Sequence, residues 1–438
     1  MTVVAPGSAQ IAAGNRRFGK IAMRCAVAGL VFALALVVVG LVAPQQLVAL
    51  FTDTWFLAAL RLGLVTYAVG WAYLVVDAWR IADPLGLAQG QRVVMTGLNG
   101  VLCFGLSGGL LFTSHLVAVQ RDFIETVFGS QPVSEPARGR YNVLLMGSDA
   151  GPGRSGVRPD SLTVASIDEE TGRTVLLGLP RNLAAVPFPA GSVMNAQFPN
   201  GFDCDGCYLN GVNTWANDHA ELFLGVENPG IEATTQAVEE ITGLAINYYA
   251  LIDLRGFRAL VDATGGVDIA VGERIPIGGG GGPITGWIEP GKQHLDGYET
   301  LWYARSRATS DDYSRMARQK CVMNAMLRQL DPQTVVKNFG AIVKAGKQVI
   351  STSIPASELA TFVDLAVKAK SMPLSSVSFV PPKVNTSDPD WLLVRSMVSD
   401  ALDRSEAKDG LDLARALPRE KKNARPNAND STDLARSC

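Results

Sequence analysis

Histidine is scarce in this sequence: the chain of 438 residues has only three, His115, His219 and His294. Histidine-rich metal sites and Ser–His–Asp triads are therefore poor candidates for its chemistry. Charged residues are also few, at 18% of the chain against about 25% in an average soluble protein. The net charge of -2 leaves no basic excess to neutralise a phosphate backbone. The composition argues against nucleic-acid binding and favours a membrane protein.

The N-terminal part contains three long apolar segments. They cover Cys25–Ala43, Trp55–Val76 and Val93–Val119, and the only formal charge inside them is Arg61, near one end of the second. Roughly twenty apolar residues cross the hydrocarbon core of a bilayer, so each segment predicts a transmembrane helix. A cleavable signal peptide would explain the first segment alone.

The short loops predict the orientation of these helices. Residues 1–24 carry four basic residues and no acidic one, and the loop after the second segment carries Arg80 and Arg92. The loop between the first two segments has Asp53 and neither Lys nor Arg. Basic loops remain cytoplasmic, so we expect a multi-pass protein of the cell membrane whose chain after Val119 is extracytoplasmic.

Composition divides the chain further. We expect a cytoplasmic tail over 1–24, three transmembrane helices over 25–119 and a linker over 120–139 that mixes charge, proline and glycine. Residues 140–403 alternate β-rich runs with helical patterns, which predicts an extracytoplasmic α/β domain. Residues 404–438 are charged and nearly free of aromatics, which predicts a disordered tail.

Four cysteines lie beyond the apolar segments. Cys204 and Cys207 form a Cys-Asp-Gly-Cys motif, which in an oxidising compartment favours a short-loop disulfide. A zinc half-site would need a second pair of ligands, which the sequence lacks, and a redox motif is the other alternative. Cys321 falls in a helical pattern and is expected to be buried, whereas Cys438 ends the predicted tail.

Three short apolar runs follow one another at the start of the outer domain. Asn142–Met146, Ser161–Ile167 and Arg173–Leu179 each read as a strand, and turn-forming residues separate them. If they form successive antiparallel hairpins, the end of the first strand, the start of the second and the end of the third lie at one end of the sheet.

That arrangement brings charged side chains together. Asp149 follows the first run, Arg158 and Asp160 precede the second, and Arg181 follows the third. Two close carboxylates repel each other unless a proton or cation lies between them, and carboxylate oxygens suit Mg²⁺ or Mn²⁺. Guanidinium groups match phosphate oxygens bidentately. The set predicts a site for a diphosphate and a metal; the alternative is ordinary salt bridges at loop ends.

A second stretch adds arginines to this set. If Trp302–Arg307 is a strand, Arg305 and Arg307 project from the same face. A solvated basic surface is the simpler alternative for these two residues.

The helix predicted after this strand carries further polar residues. Asp311 or Asp312 is suited to cap it, and Arg315, Arg318 and Gln319 then share one face at spacings of three and four. Strand and helix together would direct their arginines at one anion.

These stretches closely resemble the LytR–CpsA–Psr family of cell-envelope enzymes, over roughly residues 140–330 and more weakly to about 400. The matching blocks, in chain order, are Leu145–Asp149, Arg158 with Asp160, Leu179–Arg181, Leu260–Val267, His294–Gly297, Tyr303–Arg307 and Asp312–Gln319.

The resemblance implies an α/β (α+β) domain with a central mixed or antiparallel sheet flanked by helices. It also implies a metal-dependent phosphotransferase that moves a glycopolymer from a polyprenyl diphosphate carrier onto peptidoglycan, usually the 6-hydroxyl of N-acetylmuramic acid. The polyprenyl chain would lie in an apolar tunnel between sheet and helices. Nucleic acid is not expected as a partner of such an enzyme.

The resemblance also implies residue roles. Asp149 and Asp160 would bind Mg²⁺ or Mn²⁺, and Asp312 would orient an arginine or act as a base toward the sugar hydroxyl. The catalytic set would comprise Arg181, Arg305, Arg307 and Asp312. The diphosphate would be held by Arg158, Arg181, Arg305, Arg307, Arg315 and Gln319, with Arg318 in a weaker supporting role.

Two features separate this chain from the general family pattern. Asn182 stands where the family commonly has Asp after Pro-Arg, so a charged role at that position is doubtful. The Cys204/Cys207 pair and the Ala/Gly/Val-rich composition resemble the actinobacterial branch. That branch implies decaprenyl diphosphate as the carrier and arabinogalactan as the polymer.

Two other functions compete with the transferase. The same site with water in place of the sugar hydroxyl would make a polyprenyl-diphosphate pyrophosphatase. A non-enzymatic binding or regulatory protein is a third interpretation, which the lack of a basic patch and the extracytoplasmic placement disfavour.

Overall fold

A computed structural model describes residues 6–83, 86, 88–128, 132–149, 158–279, 282–329, 350–406 and 427–438. Within them the chain forms two compact units. One comprises the described residues up to 128 together with 355–361, and the other comprises the described residues of 131–354 and 362–438.

The N-terminal unit is helical. Its helices are α1 (Ser8–Ala12), α2 (Arg16–Val42), α3 (Pro44–Thr52), α4 (Thr54–Ile81) and α5 (Gln89–Val127). Three of them, α2, α4 and α5, are long and apolar enough to cross a membrane. Helices α4 and α5 contain the second and third predicted segments, and α2 contains the first up to Val42. Helix α5 runs eight residues past Val119, so the stretch expected to be a linker begins as helix.

The second unit is built around a seven-stranded mixed sheet. Its strands along the chain are β1 (Arg140–Ser148), β2 (Pro159–Asp168), β3 (Thr174–Leu179), β4 (Tyr248–Asp253), β9 (Ile350–Thr352), β10 (Leu374–Ser378) and β11 (Asp430–Ser431), in the spatial order β11-β10-β3-β2-β1-β4-β9. β1–β2 and β2–β3 are antiparallel, while β1–β4 and β3–β10 are parallel. The predicted hairpins and the mixed sheet are thus confirmed.

Helices and two small ribbons complete this unit. The helices are α6 (Val193–Gln197), α7 (Leu209–Asp218), α8 (Pro229–Thr242), α9 (Leu254–Ala263), α10 (Gly297–Arg305), α11 (Asp312–Gln329), α12 (Leu359–Ser371), α13 (Trp391–Glu406) and α14 (Leu434–Ser437). Strands β5 (Val267–Val271) and β8 (Gly291–Leu295) form one ribbon, and β6 (Ile275–Gly278) and β7 (Ile284–Ile288) the other.

Alternation along β1 explains how the sheet is covered on both faces. Leu144 and Met146 pack with apolar residues of α7, α8 and α13, whereas Tyr141 and Val143 pack with Leu365 of α12. Side chains two apart share a face of a strand, so each face of β1 buries its own apolar set. The sheet is therefore a middle layer between helices.

The predicted strand over Trp302–Arg307 is wrong. Asp296 accepts a hydrogen bond from the backbone N–H of Glu299, whose carboxylate accepts one in return from the Asp296 N–H. This capping box begins a helix that continues through Arg305. Arg305 and Arg307 therefore do not project from a common strand face. The helix prediction for the following residues is confirmed, with Asp311 capping α11 through the Ser314 N–H.

The predicted disordered tail is wrong for the residues described at the C-terminus. Helix α13 extends to Glu406, and residues 427–438 form β11 and α14 against the domain, with Leu434 fully buried. Cys438 forms a disulfide with the buried Cys321 of α11. Residues 407–426 of the predicted tail lie outside the described residues.

Candidate functional site

The first three strands bring the predicted residues to one end of the sheet. Ser148 lies opposite Pro159 in the β1–β2 pairing, and Leu162 lies opposite Leu179 in the β2–β3 pairing. The register of β1 shifts between Gly147 and Ser148, a local irregularity of the kind that redirects side chains at the end of a strand. Asp149, Asp160 and Arg181 are therefore placed at the same end.

Asp160 and Arg181 form an ion pair. The Arg181 Nη1 lies 2.6 Å from the Asp160 Oδ1, and both side chains are partly buried. Burial alone would raise the pKa of Asp160, but the hydrogen bond and charge of Arg181, aided by Arg315, outweigh it and lower that pKa. The same pair raises the pKa of Arg181 against the effect of its burial. Both groups are held charged.

Asp312 is surrounded by three guanidinium groups. Its Oδ1 lies 3.4 Å from the Arg181 Nε and 3.5 Å from the Arg307 Nη1, and its Oδ2 lies 3.0 Å from the Arg315 Nη2. The structure thus links arginines from the β3 end, the α10–α11 loop and α11 through one carboxylate. We call Asp160, Arg181, Arg307, Asp312 and Arg315 the clamp.

Arg315 is the most deeply buried arginine of the clamp, at 4% exposure. Its Nη2 also donates to the backbone carbonyl of Asp160 at 2.8 Å, whereas its buried Nε has no hydrogen-bond partner among the described residues. Burial lowers the pKa of Arg315, and the neighbouring Arg181 and Arg307 lower it further against the opposite effect of the two aspartates. Crowded guanidiniums with an unsatisfied buried donor favour binding of an anion.

A cavity of about 410 Å³ opens beside the clamp. Its polar end includes Asp149, Asp160, Arg305, Arg307, Arg315 and Gln319. Its apolar part lies between β1, β4 and helices α9, α10 and α11, and is lined by Leu145, Ala250, Leu251, Phe257, Leu260, Leu301, Val322, Met323 and Met326, among others. A charged mouth and an apolar interior suit an amphipathic ligand with an anionic head.

The remaining predicted ligands occupy different positions. Gln319 accepts from the Ser161 hydroxyl at 2.9 Å and donates to the Ala304 carbonyl at 3.2 Å, so its amide is fixed at the cavity wall. The Arg305 guanidinium lies 5.1 Å from the Trp302 ring centroid and also lines the cavity. Arg158, two residues before Asp160, is exposed.

Arg318 points away from the clamp although it lies on the same helix. Its Nε donates to the Tyr303 carbonyl at 2.8 Å, Nη1 donates to the Ser310 hydroxyl at 3.2 Å, and Nη2 donates to the Ser306 carbonyl. It therefore fixes the α10–α11 loop on which Arg307 lies. The spacing predicts that Arg318 and Arg315 share one helical face, but these contacts hold the Arg318 guanidinium at the loop and not at the clamp.

Two carboxylates, those of Asp149 and Asp160, line the cavity. No cluster of three or more His, Cys, Asp or Glu suited to a metal occurs in the part of the chain that the structure describes. Mg²⁺ is commonly held by one or two carboxylates together with substrate phosphates and water. The oxygen donors at the cavity fit that pattern, with the substrate supplying the rest.

Asn182 lies outside the cavity lining. Its Nδ2 donates to the Thr386 hydroxyl at 3.3 Å, and that hydroxyl is also 3.2 Å from the Tyr313 hydroxyl. Asn182 therefore connects the end of β3 to the segment after β10, a packing role for which a charge is unnecessary.

The predicted Cys204–Cys207 disulfide is present. The Cys321–Cys438 disulfide was missed, although an even number of cysteines beyond the apolar segments was an available signal. A disordered tail around Cys438 does not predict this pairing.

Comparison with known proteins matches the LytR_cpsA_psr family model to residues 116–392, more than half of the chain. The chain is similar to the probable cell wall biosynthesis protein LcpB of Corynebacterium glutamicum, at 33% identity over 45% of this chain and 39% of that protein. It is similar to the cell wall biosynthesis protein LcpA of the same organism, at 25% identity over 58% and 51% of the two chains.

A third relative is the polyisoprenyl-teichoic acid–peptidoglycan teichoic acid transferase TagU of Oceanobacillus iheyensis, 25% identical over 57% of this chain and 71% of that protein. A crystal structure of protein gbs0355 from Streptococcus agalactiae is similar at 21% identity and a TM-score of 0.47, over 61% of this chain and 89% of that one. The chain matches about two fifths of LcpB and half of LcpA.

Proposed function

Because this chain belongs to the LytR–CpsA–Psr family, we propose that it transfers a glycopolymer from a polyprenyl diphosphate carrier onto peptidoglycan. The observation that carries the proposal is the clamp at the mouth of an apolar cavity. Its guanidiniums suit a diphosphate, and the cavity behind them suits an isoprenoid chain. One molecule, a lipid-linked diphosphate, satisfies both parts.

The clamp arginines would bind the diphosphate and stabilise the charge that develops during transfer. Phosphoryl transfer depends mainly on positioning and charge neutralisation, which fixed guanidiniums provide. Arg315 offers its unpartnered Nε, and Arg305 and Arg307 line the same cavity. We assign the neighbouring Gln319 to hydrogen-bond the diphosphate, and Arg158 to join from its exposed position when substrate is present.

Mg²⁺ or Mn²⁺ would be held by Asp149 and Asp160 together with phosphate oxygens. When bound, the ion supplies charge neutralisation at the diphosphate. Asp160 then has two tasks, since it also orients Arg181 through their ion pair.

We assign Asp312 to orient arginines rather than to act as a base. Both of its carboxylate oxygens already face guanidinium nitrogens, from Arg181, Arg307 and Arg315. Removing Asp312 would free three like charges to repel one another, so its loss would disturb the whole clamp.

The finer identity of the substrates rests on the actinobacterial relatives. We propose decaprenyl diphosphate as the carrier and arabinogalactan as the polymer, because two relatives, LcpA and LcpB of Corynebacterium glutamicum, are described as a cell wall biosynthesis protein and a probable one. We also propose that the second unit is extracytoplasmic, where a lipid-linked polymer and peptidoglycan meet, and the basic loops support this orientation.

An assay with both substrates tests this proposal against the pyrophosphatase alternative. The full-length protein in detergent is incubated with a lipid-linked glycan, Mg²⁺ and soluble peptidoglycan fragments. Covalent attachment of the glycan, detected by mass spectrometry, is the expected result. Release of glycan phosphate without attachment, at the same rate with and without acceptor, would identify a hydrolase.

A further inference from the structure

A second cavity, of about 490 Å³, lies beside the same helix on another face. Arg315, Gln319 and Met326 of α11 line the first cavity, whereas Ser314, Ala317 and Arg318 line the second. Successive residues of an α-helix are about 100° apart, so these two sets point in different directions. Helix α11 therefore separates two cavities, of which the proposed donor occupies one.

The lining of this second cavity is polar, with two carboxylates against one guanidinium. Glu273, Asp311, Asn427 and Asn429 supply carboxylate and amide groups, and Tyr303 and Tyr313 supply aromatic rings. Burial raises the pKa of the Tyr303 hydroxyl, so that group remains a neutral donor and acceptor.

The charges in this cavity do not suit an anion. Glu273 and Asp311 are acidic, and the only guanidinium in the described lining, that of Arg318, donates through all three of its nitrogens to protein oxygens. A phosphate would meet two carboxylates and a guanidinium that is already engaged. A polyhydroxylated ligand fits better, because hydroxyls donate to carboxylates, pair with amides and leave C–H faces for aromatic rings.

The C-terminal segment forms one wall of the cavity. Asn427, Ala428, Asn429, Ser437 and Cys438 line it, and Cys438 is fixed to α11 through its disulfide with Cys321. The Asn429 Nδ2 donates to the Tyr313 carbonyl at 2.8 Å. A covalent bond and a hydrogen bond thus hold this wall on α11.

The lining of the second cavity reaches the clamp at the first turn of α11. Asp311 lines the second cavity, while its neighbour Asp312 belongs to the clamp. Tyr313 lines the second cavity, and its hydroxyl is linked through Thr386 to Asn182, the residue after Arg181. A ligand in the second cavity would therefore lie close to the diphosphate bound at the first.

We propose that the second cavity is a saccharide-binding site that the C-terminal segment completes, and that it takes the acceptor glycan. The inference rests on the proposed function, because a transferase needs a place for a hydroxylated acceptor that the apolar cavity does not provide. The glycan portion of the donor has the same chemistry, and the experiment separates these two sources.

The test compares variants of the full-length protein in detergent with a lipid-linked glycan as donor and muramidase-released peptidoglycan fragments as acceptor. Glu273→Gln, which also weakens the ion pair of Glu273 with Arg318, and Asn427→Ala alter the lining without replacing a clamp residue, and Cys438→Ser releases the wall. Cys204→Ser with Cys207→Ser is the control for loss of a disulfide as such, and the assays are run at a temperature at which thermal unfolding shows every variant to be folded. We expect the KM for the acceptor to rise at least fivefold in the first three and to change less than twofold in the control. The KM for the donor, measured at saturating acceptor, should remain within twofold of the parent.

A rise in the KM for a long-glycan donor, absent with a donor that bears one sugar, would assign the saccharide site to the donor instead. Unchanged KM values for both glycans in Glu273→Gln and Asn427→Ala would overturn the inference. If the parent consumes no donor, the proposed function fails separately. Calorimetric titration with the peptidoglycan fragments then decides the site: no binding, or binding equal in parent and Glu273→Gln, overturns it.

Discussion

Asp160, at the start of β2, lies 2.6 Å from Arg181, which follows β3, although the two are separated by the length of two strands. The hairpin that connects β2 and β3 brings them together. Arg181 also faces Asp312 of α11, so a sheet end and a helix start meet in one charged network.

Replacing Arg181 tests this network. Arg181→Ala removes a partner of both Asp160 and Asp312, and we expect turnover to fall at least a hundredfold. Arg181→Lys keeps the charge but loses the planar fork, so a loss of at least tenfold should remain. Initial rates of glycan transfer measure both effects. Arg274→Ala is the control, because that exposed arginine pairs with Glu289 away from the cavity; an equal loss there would contradict a specific role.

Metal dependence tests the two carboxylates at the cavity. Chelation with EDTA should abolish transfer, and added Mg²⁺ should restore it. Asp149→Asn removes one proposed ligand, so the Mg²⁺ concentration for half-maximal rate should rise at least tenfold. Glu289→Gln is the control. Glu289 follows β7 and pairs with Arg274 at the surface, so this change should leave the Mg²⁺ titration unchanged. An EDTA-resistant activity would refute the metal proposal.

Filling the apolar cavity should discriminate among lipid chain lengths. Ala250 lines the cavity from β4, and Ala250→Trp would occupy space proposed for the isoprenoid. We expect the KM for a decaprenyl donor to rise at least tenfold and that for a two-isoprene donor to change little. Val367→Trp, on the exposed side of α12, is the control. Equal effects on both donors would argue that the lipid lies elsewhere.

The buried Lys320 should make the free energy of unfolding depend on pH. Its side chain is fully buried against Ser378, and burial lowers its pKa from 10.5 to about 7. Between these values the unfolded chain binds the proton and the folded chain does not, so stability should rise with pH by up to about 1.4 kcal/mol per unit. Below about pH 7 this gain is absent.

Lys320→Met removes this dependence. The parent should gain thermal stability relative to Lys320→Met between pH 7.5 and 9.5, as followed by unfolding of the full-length protein in detergent. Lys368→Met is the control, since that lysine is partly exposed and paired with Asp364. Parallel pH profiles for the parent and Lys320→Met would show that Lys320 does not titrate in this range.

The two disulfides should contribute unequally to stability. Cys321 and Cys438 are 117 residues apart, whereas Cys204 and Cys207 are three apart. Loop-closure entropy favours the longer link, at about 5 against about 2 kcal/mol. Cys438→Ser should therefore lower the denaturation midpoint more than Cys207→Ser does, and the reverse order would contradict the structure.

Local sequence patterns predicted which charged residues lie at one end of the sheet, because apolar runs and the turns between them determine the order of the hairpins. Asp149, Asp160 and Arg181 followed from three successive strands. The pattern failed at Arg305, where the Asp296–Glu299 capping box begins a helix over residues that also suit a strand. The Asp–x–x–Glu spacing of a capping box is present in the sequence, and the helix that it begins overrides the alternate spacing of Arg305 and Arg307.

Tertiary contacts determine two features that local sequence does not predict, the direction of the Arg318 side chain and the order of the C-terminal segment. Arg318 and Arg315 are three apart on α11, yet Arg318 turns to the α10–α11 loop because three oxygens there accept its hydrogen bonds. The C-terminal segment looked disordered by composition, but pairing with β10 and the bond to Cys321 order its last residues. Neither effect has a local signal.

The central claim is that a lipid-linked diphosphate and a glycan acceptor react at the clamp. The most direct measurement follows a radiolabelled glycan on its lipid carrier, incubated with the full-length protein, Mg²⁺ and peptidoglycan fragments. We predict that the label becomes covalently bound to peptidoglycan with the parent protein and not with Arg181→Ala. Label that stays on the lipid, or that appears only as free glycan phosphate, would contradict the account.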